Sequence, residues 1–403
     1  MNEKKLKIGL FLDTYFPMVD GVVMVMHNYA CILSKFCDVT VFVPKGRKPF
    51  DDSTLPYRVV RSRKLRLPGD YDLSLPKLSA SFLKELKRSD LDLIHIHSPF
   101  TMGKIAVKYA KRHNIPIIAT MHSQYKQDFY KATKSKVLTN FLLKKIMKVF
   151  NACDECWAVN ADSVEVFKDY GATKQIEVML NGTEITYFDN EVELQKLREK
   201  YDIKNDEKVF LFVGRITAIK NIFFIVDALK LLKDKGFKFK MFFIGRGPDE
   251  NKLKQEIEKN KLTQEVFMLG YLPLREDLTK FYRLTDLFLF PSLYDTNSLV
   301  PIEAASQKTP TLYLRNALTA STVTEDVNGF LCENSIESFC DKIIEIFSKP
   351  EYYAKVQEGA YNDIYITWDK AVMSAYNNYL KLLGKKKSEN LRGKVVTKPD
   401  TVG

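Results

Sequence analysis

Two carboxylates, Asp295 and Glu303, follow a short apolar run, Leu287–Phe290, that predicts a buried strand. Seven residues separate them, so a loop and a helix start can carry both side chains into one cleft. Ionised carboxylates accept hydrogen bonds, and the hydroxyls of a sugar or a ribose are suitable donors. A second interpretation of Glu303 stays open, because a helix start favours a carboxylate without any ligand.

Two cations and a glycine follow another predicted strand, Val209–Val213. Gly214 and Arg215 come directly after it, and Lys220 stands just before an amphipathic helical stretch. Free backbone N–H groups and the positive end of a helix suit a pyrophosphate, and the two cations could neutralise its charge. The alternative is a pair of solvated cations on an ordinary loop.

Two further candidates lie in the first half of the chain. His122 ends the apolar run that begins at Ile115, and ligands of open parallel sheets bind at this carboxyl edge of the strands. Gly21 opens a helix after the first strand, where a residue without a side chain lets a phosphate or sugar approach closely, although an ordinary turn would also explain it. His95, inside an apolar strand, is expected to be a hydrogen-bonded core residue.

Short apolar runs alternate with longer amphipathic stretches, which is the pattern of strand-helix-strand units in parallel sheets. The predicted strands are Lys7–Leu12, Val39–Val43, Leu93–His97, Ile115–Thr120, Cys156–Val159, Ile176–Leu180, Val209–Val213, Lys240–Ile244, Val266–Leu269, Leu287–Phe290 and Thr311–Leu314. The turn pair Asn181-Gly182 interrupts the alternation, which then restarts. The sequence therefore predicts an α/β protein with two doubly wound, Rossmann-like parallel sheets facing a central cleft.

The composition, with 45% hydrophobic and 28% charged residues, is that of a soluble globular protein. The formal net charge of +12 predicts an anionic partner. Lys131–Phe150 combines lysines with apolar residues at helical spacing, which suits an anionic membrane surface, although a core-packed helix with a solvated lysine face has the same pattern. The aromatic residues lie in core-like patterns, so nucleic acid is not expected as a partner.

The six cysteines are scattered, and only Cys153 and Cys156 have the spacing of a metal or redox pair. They lead into an apolar run without a second such pair, so buried free thiols are expected. No apolar run is long enough for a spanning helix, and the first residues lack the features of a signal peptide. We therefore expect a cytoplasmic protein, with a peripheral position at the inner face of the plasma membrane left open.

The motifs follow one another in an order that single chance matches would not produce. They are Pro17–Gly21, HIHSPF with Gly103, TMH, NGT, VGRITAIKN, GRGP, FPSLYD, the carboxylate pair, TP and NGF. This order resembles family 4 of the retaining glycosyltransferases, which have the GT-B fold of two Rossmann-like domains. We accordingly predict an acceptor-side domain at 1–185, a nucleotide-sugar-binding domain at 186–366, a helix at 367–384 that packs back on the first domain, and a basic flexible tail at 385–403.

The resemblance implies a set of donor-binding residues. In that family, residues matching Arg215 and Lys220 hold the donor diphosphate, and the backbone N–H groups at Leu299 and Val300 face it. The residue matching Glu303 contacts the ribose. The full expected set is Gly21, Gly214, Arg215, Lys220, Asp295, Leu299, Val300 and Glu303.

The resemblance also implies how the reaction proceeds. Asp295 would contact the transferred sugar, and His122 would lie beside it. The departing phosphate would take the acceptor proton while Arg215 and Lys220 stabilise its charge. These four residues are the expected catalytic residues, and neither a metal nor a cofactor is expected, because two cations and a helix terminus serve the diphosphate.

The chain departs from the family pattern at three places. Asp295 stands where glutamate is usual, Asn297-Ser298 replaces an aromatic-glycine pair, and Lys308 stands where glycine is common. The shorter carboxylate is where we expect the donor-sugar preference to differ from that of relatives.

The segments DTYFPMVDGVV and HIHSPF further resemble diacylglycerol glucosyltransferases and related lipid glycosyltransferases. We therefore expect transfer of a hexose from a UDP-sugar to a hydroxyl acceptor with retention at the anomeric carbon. Glucose is the preferred hexose. The preferred acceptor is a membrane lipid such as diacylglycerol. The alternatives are a transferase for a cell-surface polysaccharide, a nucleotide-sugar epimerase of the same fold, and a non-catalytic protein that binds anionic surfaces.

Overall fold

The computed structural model describes residues 5–67, 72–296 and 298–396, with the backbone alone described for 389–396. The chain forms two compact units. The first contains the residues up to Asn181 together with those from Trp368 onward, and the second is Gly182–Thr367. Asn297, the first residue of the Asn297-Ser298 departure, and the last residues of the predicted tail, 397–403, lie outside the described residues.

The described residues of the first unit form eight strands and six α-helices before the chain enters the second unit. They are β1 (Lys7–Phe11), α1 (Gly21–Leu33), β2 (Asp38–Pro44), β3 (Arg58–Leu65), β4 (Leu73–Leu75), α2 (Ala80–Arg88), β5 (Leu93–Ile96), α3 (Thr101–His113), β6 (Ile117–Met121), α4 (Tyr125–Thr133), α5 (Lys136–Phe150), β7 (Glu155–Ala158), α6 (Ala161–Asp169) and β8 (Ile176–Val178).

The second unit continues the same alternation, and the last helix returns to the first unit. The elements are α7 (Glu191–Lys200), β9 (Lys208–Val213), α8 (Ile222–Asp234), β10 (Phe239–Ile244), α9 (Glu250–Lys259), β11 (Val266–Gly270), α10 (Arg275–Leu284), β12 (Leu287–Phe290), α11 (Leu299–Ala305), β13 (Thr311–Leu314), β14 (Phe330–Cys332), α12 (Ile336–Ser348), α13 (Pro350–Gly359), a π-helical turn (Ala360–Ile364) and α14 (Trp368–Val396).

Each unit has one sheet with buried, apolar central strands. The strand order in the first unit is β4-β3-β2-β1-β5-β6-β7-β8, parallel except for the β3–β4 pair. In the second unit it is β11-β10-β9-β12-β13-β14, and every pair is parallel. The predicted α/β class with two doubly wound parallel sheets is confirmed.

The strand order reverses once in each sheet, and such switch points are where ligands bind. In the first sheet the reversal lies between β1 and β5, and in the second between β9 and β12. The loops that leave these four strands therefore open at the favoured edge. They contain Asp13, His97, Gly214 and Asp295.

Three strands escaped prediction, and all lie at or near the edge of a sheet. In β3, only Val60 and Ser62 are buried, and charged residues alternate with them. Strands β4 and β14 have three residues each, which is too short for a clear pattern. Continuous apolar runs mark the buried central strands only.

Helix α14 packs against the sheet of the first unit. The ring of Tyr379 stacks on Trp157 with centroids 5.4 Å apart, and its hydroxyl hydrogen-bonds His95 Nδ1 at 2.6 Å. Lys386 Nζ pairs with Asp154 Oδ1 at 2.8 Å. The helix runs on to Val396, so the predicted flexible tail must be corrected: its residues 385–396 are helical, because lysine, glutamate and leucine sustain a helix that is already docked.

The basic segment Lys131–Phe150 is not one helix, which is a second correction. Helix α4 ends at Thr133, and Lys134 takes the left-handed conformation with a φ of +53°. Ser135 then caps α5 by accepting the N–H of Leu138. The lysines at the start of the segment therefore belong to a corner between two helices.

The remaining sequence expectations concern local features. All six cysteines are free thiols, and Cys153 and Cys156 are buried as predicted. Lys308, where relatives commonly have glycine, has a φ of +59°, a conformation that glycine adopts without strain. Within the described part of the chain, no helix combines the length and apolarity needed to cross a membrane.

Candidate functional site

The loops after β9 and β12 meet at the switch point of the second sheet. A short 3₁₀ turn, Ala218–Lys220, precedes Asn221, whose φ of +62° turns the chain into α8. The side-chain amide of Asn221 donates to the carbonyl of Pro291 at 3.2 Å and so joins the two loops. Arg215 is exposed on the first of these loops.

Lys220 and Asp295 form an ion pair across this junction. Their side chains retain only 19% and 15% of their exposure, so the pair is largely shielded from water. Lys220 contacts Oδ1, while Oδ2 of Asp295 is buried without a hydrogen-bond partner in the described part of the chain. The structure thus brings together a cation and a carboxylate that stand 75 residues apart in sequence.

The glycines of the GRGP segment hold the neighbouring loop in place. A Cβ on Gly245 would lie 1.9 Å from the carbonyl oxygen of Gly214, and one on Gly247 would lie 2.0 Å from that of Ile216. Gly214 and Gly245 also have positive φ values, +154° and +135°. Close backbone packing explains Gly245 and Gly247, and a positive φ explains Gly214, without any ligand.

Two helices of the second unit, α8 and α11, begin at this edge. The first N–H groups of a helix have no acceptor within it. Helix α8 starts at Ile222 and α11 at Leu299, and neither has a side-chain hydrogen bond at its cap. The N–H groups of Leu299 and Val300 belong to the first turn of α11. An anion at this edge would meet both positive helix ends.

Glu303 is more enclosed than its predicted role suggests, because only 4% of its side chain is exposed. Arg275 Nη1 donates to Oε1 at 3.0 Å, and Tyr282 Oη donates to Oε2 at 2.6 Å. The interpretation of Glu303 as a carboxylate held only by a helix start is therefore incomplete. Its contact with a ribose stays a prediction.

Arg275 and Tyr282 were missed by the sequence analysis. Arg275 Nε also donates to Glu184 Oε1 at 2.8 Å, so one guanidinium joins two carboxylates. Burial and the charge of Glu303 raise the pKa of Tyr282, which keeps its hydroxyl protonated and able to donate. The only signal in the sequence was their seven-residue spacing on a helix, which places both on one face.

In the first unit, Asp13 organises the corresponding switch point. Its carboxylate accepts from Ser74 Oγ at 2.5 Å, Ser98 Oγ at 2.6 Å, Thr101 Oγ1 at 2.8 Å and the backbone N–H of Met102 at 3.0 Å. The end of β1, strand β4 and the start of α3 are thereby held together. The HIHSPF segment is thus tied to the first loop by one carboxylate.

Gly21 is the first residue of α1. Asp20 caps this helix by accepting the N–H of Val23 at 2.8 Å. A Cβ on Gly21 would have no atom within 4 Å, so the space beside it is open. The first unit itself gives no reason for a glycine there.

His122 belongs to a row of three histidines. Its Nε2 lies 3.0 Å from His97 Nδ1, and the rings of His97 and His95 are 4.1 Å apart. His95 hydrogen-bonds Tyr379 and Thr120, which confirms it as a core residue. Burial lowers the pKa of His122 to about 3, so its imidazole is neutral at pH 7.

The candidate residues of the second unit combine backbone hydrogen-bond donors, two cations and two carboxylates. Among the described residues, no group of three histidine, cysteine, aspartate or glutamate side chains could hold a metal ion. The candidate residues of the second unit are Gly214, Arg215, Lys220, Asp295, Leu299, Val300 and Glu303, whereas Gly21 and His122 belong to the first unit. The residues of the second unit suit a diphosphate joined to rings that bear hydroxyl groups.

Two family models match the chain. Residues 19–187 match the model for Glycosyltransferase Family 4, and residues 194–363 match the model for Glycosyl transferases group 1. The matched ranges correspond to the two units.

Several glycosyltransferases are similar to this chain over most of their own length. The alpha-monoglucosyldiacylglycerol synthase of Acholeplasma laidlawii is 26% identical, with 88% of this chain and 92% of the relative covered. Its counterpart in Streptococcus pneumoniae is 25% identical over 81% of this chain and 75% of the relative. The crystal structure of Anabaena HepE with UDP and glucose has a TM-score of 0.73 at 16% identity, covering 93% of this chain and 99% of HepE.

Proposed function

The chain belongs to the family 4 glycosyltransferases of the GT-B fold, and on this premise we propose that it moves glucose from UDP-glucose to a membrane lipid with retention at the anomeric carbon. It is a hexosyltransferase that takes a nucleotide-sugar donor. The observation that carries the proposal is the contact of Lys220 with Asp295 at the switch point of the second sheet. A cation that suits a diphosphate and a carboxylate that suits sugar hydroxyls thus lie side by side.

The chemistry of the site is electrostatic. The bond between the anomeric carbon and the diphosphate oxygen breaks, and the acceptor oxygen bonds to that carbon from the same face. The departing phosphate oxygen takes the acceptor proton. Lys220 and Arg215, together with the first N–H groups of α8 and α11, stabilise the charge that develops on the leaving group.

Asp295 and His122 would hold the transferred sugar. Lys220 fixes Oδ1 of Asp295, which leaves the buried Oδ2 to accept a sugar hydroxyl. His122, with a pKa of about 3, is neutral at pH 7 and would hydrogen-bond the sugar without delivering a proton. The departing phosphate is then the base, in agreement with a front-face reaction.

A lipid acceptor is supported by two observations. Two relatives that match most of the chain are named alpha-monoglucosyldiacylglycerol synthases. The first unit also exposes apolar and basic side chains together at the start of α5, where Val137 is 82% and Phe141 is 50% exposed. Such a surface suits the interface of a membrane with anionic lipids, which is where diacylglycerol resides.

The proposal is tested first by donor turnover in a lysine variant. Lys220→Ala should lower kcat/KM for UDP-glucose by a factor on the order of 100 or more, because a donor to the leaving group is removed. Lys230→Ala is the matched control, since Lys230 forms an exposed ion pair with Asp234 on α8. Equal turnover of the two variants would refute the assignment of the donor site.

The acceptor and the stereochemistry need separate measurements. Vesicles containing diacylglycerol should yield a glucolipid, and the NMR coupling constant of the new anomeric proton should report the α configuration of the donor. Transfer to oligosaccharides alone would favour the polysaccharide alternative. A free sugar isomer formed without acceptor would favour the epimerase alternative, and loss of activity with a chelator, restored by manganese, would contradict metal-independent transfer.

A further inference from the structure

Two side chains of helix α10, Arg275 and Tyr282, donate hydrogen bonds to the buried carboxylate of Glu303. Arg275 and Tyr282 are seven residues apart, close to two helical turns, so they project from the same face. One bonds Oε1 of Glu303 and the other Oε2, at 3.0 Å and 2.6 Å. Because each oxygen is held separately, the plane of the carboxylate is fixed.

We infer that Arg275 and Tyr282 are positioning residues that orient Glu303 toward the ribose of the donor. This inference rests on the proposed function, in which Glu303 contacts that ribose. An ionised carboxylate offers about four acceptor sites, of which the two donors occupy two. The remaining sites can accept the two hydroxyls of a ribose, which donate.

Charge balance explains why an arginine is needed. A carboxylate with 4% exposure is costly to bury unless a cation compensates it. Arg275 supplies that cation while 44% of its own side chain stays exposed. Glu184, itself 41% exposed, holds the guanidinium from the other side. Removing either donor to Glu303 should therefore loosen the carboxylate rather than merely remove a surface ion pair.

The experiment compares nucleotides that differ only at the ribose. The probe is whichever of UDP, GDP and ADP raises the melting temperature of the wild-type protein most, together with its 2′-deoxy and 3′-deoxy analogues. Calorimetry gives the affinity of each. The wild-type protein should prefer the ribonucleotide by a factor on the order of 10 to 100, since a hydroxyl bonded to a charged group is lost in the analogue.

Three variants carry the prediction. Tyr282→Phe keeps the ring and removes the hydroxyl, and Arg275→Ala removes the guanidinium. Both should reduce the ribose preference by about fivefold or more, in line with the loss of one charged hydrogen bond. Arg275→Lys should restore part of it. In turnover, KM for the nucleotide sugar should rise more than kcat falls.

Matched controls come from the same unit. Tyr353→Phe removes a tyrosine hydroxyl that donates to the carbonyl of Asp286 at 2.7 Å. Arg315→Ala removes an arginine that joins Glu325 and Glu333, as Arg275 joins two glutamates. Both controls should change the melting temperature without changing the ribose preference.

The variant Glu303→Gln distinguishes failure of this inference from failure of the proposed ribose contact. If Glu303→Gln abolishes the ribose preference while Tyr282→Phe and Arg275→Ala behave like the controls, the inference is overturned and the donor contact stands. If Glu303→Gln keeps the wild-type preference, the ribose contact of the proposed function fails and the inference fails with it. Absence of binding by all three nucleotides would contradict the proposed function itself.

Discussion

Two kinds of glycine occur near the candidate residues, and the backbone distinguishes them. Gly245 is required by the fold, because it has a φ of +135° and its Cβ would lie 1.9 Å from a carbonyl oxygen. Gly21 has open space on its side-chain side and an ordinary φ. Unlike Gly245, Gly21 leaves room for a ligand to come close to the backbone.

Replacement of Gly21 tests this distinction. Gly21→Ala should change the free energy of unfolding by less than about 1 kcal/mol, whereas Gly245→Ala should cost about 2 kcal/mol or more. If the donor passes over Gly21, its alanine variant should lose about tenfold in kcat/KM for the donor. Steady-state kinetics and thermal denaturation check both points. Gly384→Ala, at another open glycine, on α14, is the control.

The histidine row makes the first unit sensitive to acid. Burial lowers the pKa of His122 to about 3 and those of His95 and His97 well below their usual value. In the unfolded chain a histidine titrates near 6.5. Between these pH values the unfolded state binds more protons than the folded state. The contribution of the three histidines to the free energy of unfolding is therefore fully present above about pH 6.5 and is lost as the pH falls toward 3.

Urea unfolding at two pH values measures this loss. Both tryptophans, Trp157 and Trp368, belong to the first unit, so their fluorescence reports on it. For each histidine that stays neutral in the folded state, the free energy of unfolding should fall by up to about 1.4 kcal/mol per pH unit below 6.5. His122→Asn should therefore show a shallower loss between pH 6.5 and 5 than the wild-type protein. Parallel curves would contradict a depressed pKa at His122.

At the scale of elements, the corner between α4 and α5 combines apolar exposure with charge. Val137, Leu138 and Phe141 are 82%, 44% and 50% exposed, while Ile146 and Val149 on the same helix are buried in the core. The predicted apolar face is thus divided, with its second half serving the core and its first half open. A helix that only packed against the core would not need the first half.

Vesicle binding tests the role of this corner. The double variant Val137→Ser, Phe141→Ser should weaken binding to vesicles containing anionic lipid by at least about tenfold, because two apolar side chains no longer enter the interface. Val192→Ser, at a residue 66% exposed on α7, is the control. Cosedimentation at low and high salt gives both the affinity and its charge dependence. Unchanged binding of the double variant would exclude this surface.

Across the whole molecule, the sequence predicted the strands whose pattern has a single physical cause, namely burial on both faces. The central strands are buried on both faces, so their apolar runs are continuous and were located to within a few residues. Lys220 and Asp295 were assigned to one site through the family resemblance, and the structure pairs the strands that they follow, β9 and β12. The left-handed break at Lys134 could not be read from the sequence, because lysine rarely adopts that conformation.

The side chains around Glu303 show a different limit. Sequence patterns identify a helix and its apolar face, but they do not indicate which neighbouring helix it faces. Arg275 and Tyr282 therefore looked like any surface cation and core aromatic on α10. Their function depends on the packing of α10 against α11, which only the three-dimensional structure reveals.

The candidate residues fall in both units, and hydrogen exchange can follow them across the whole chain. A ligand that binds only the folded state stabilises it by about 2.7 kcal/mol at one hundred times its dissociation constant. UDP should therefore slow exchange at the loop after β9 and at the start of α11. If Gly21 also faces the donor, the start of α1 in the first unit should be protected as well. Lys220→Ala should lose the protection at both of these segments of the second unit, whereas unchanged protection in this variant would contradict a donor site built on β9 and β12.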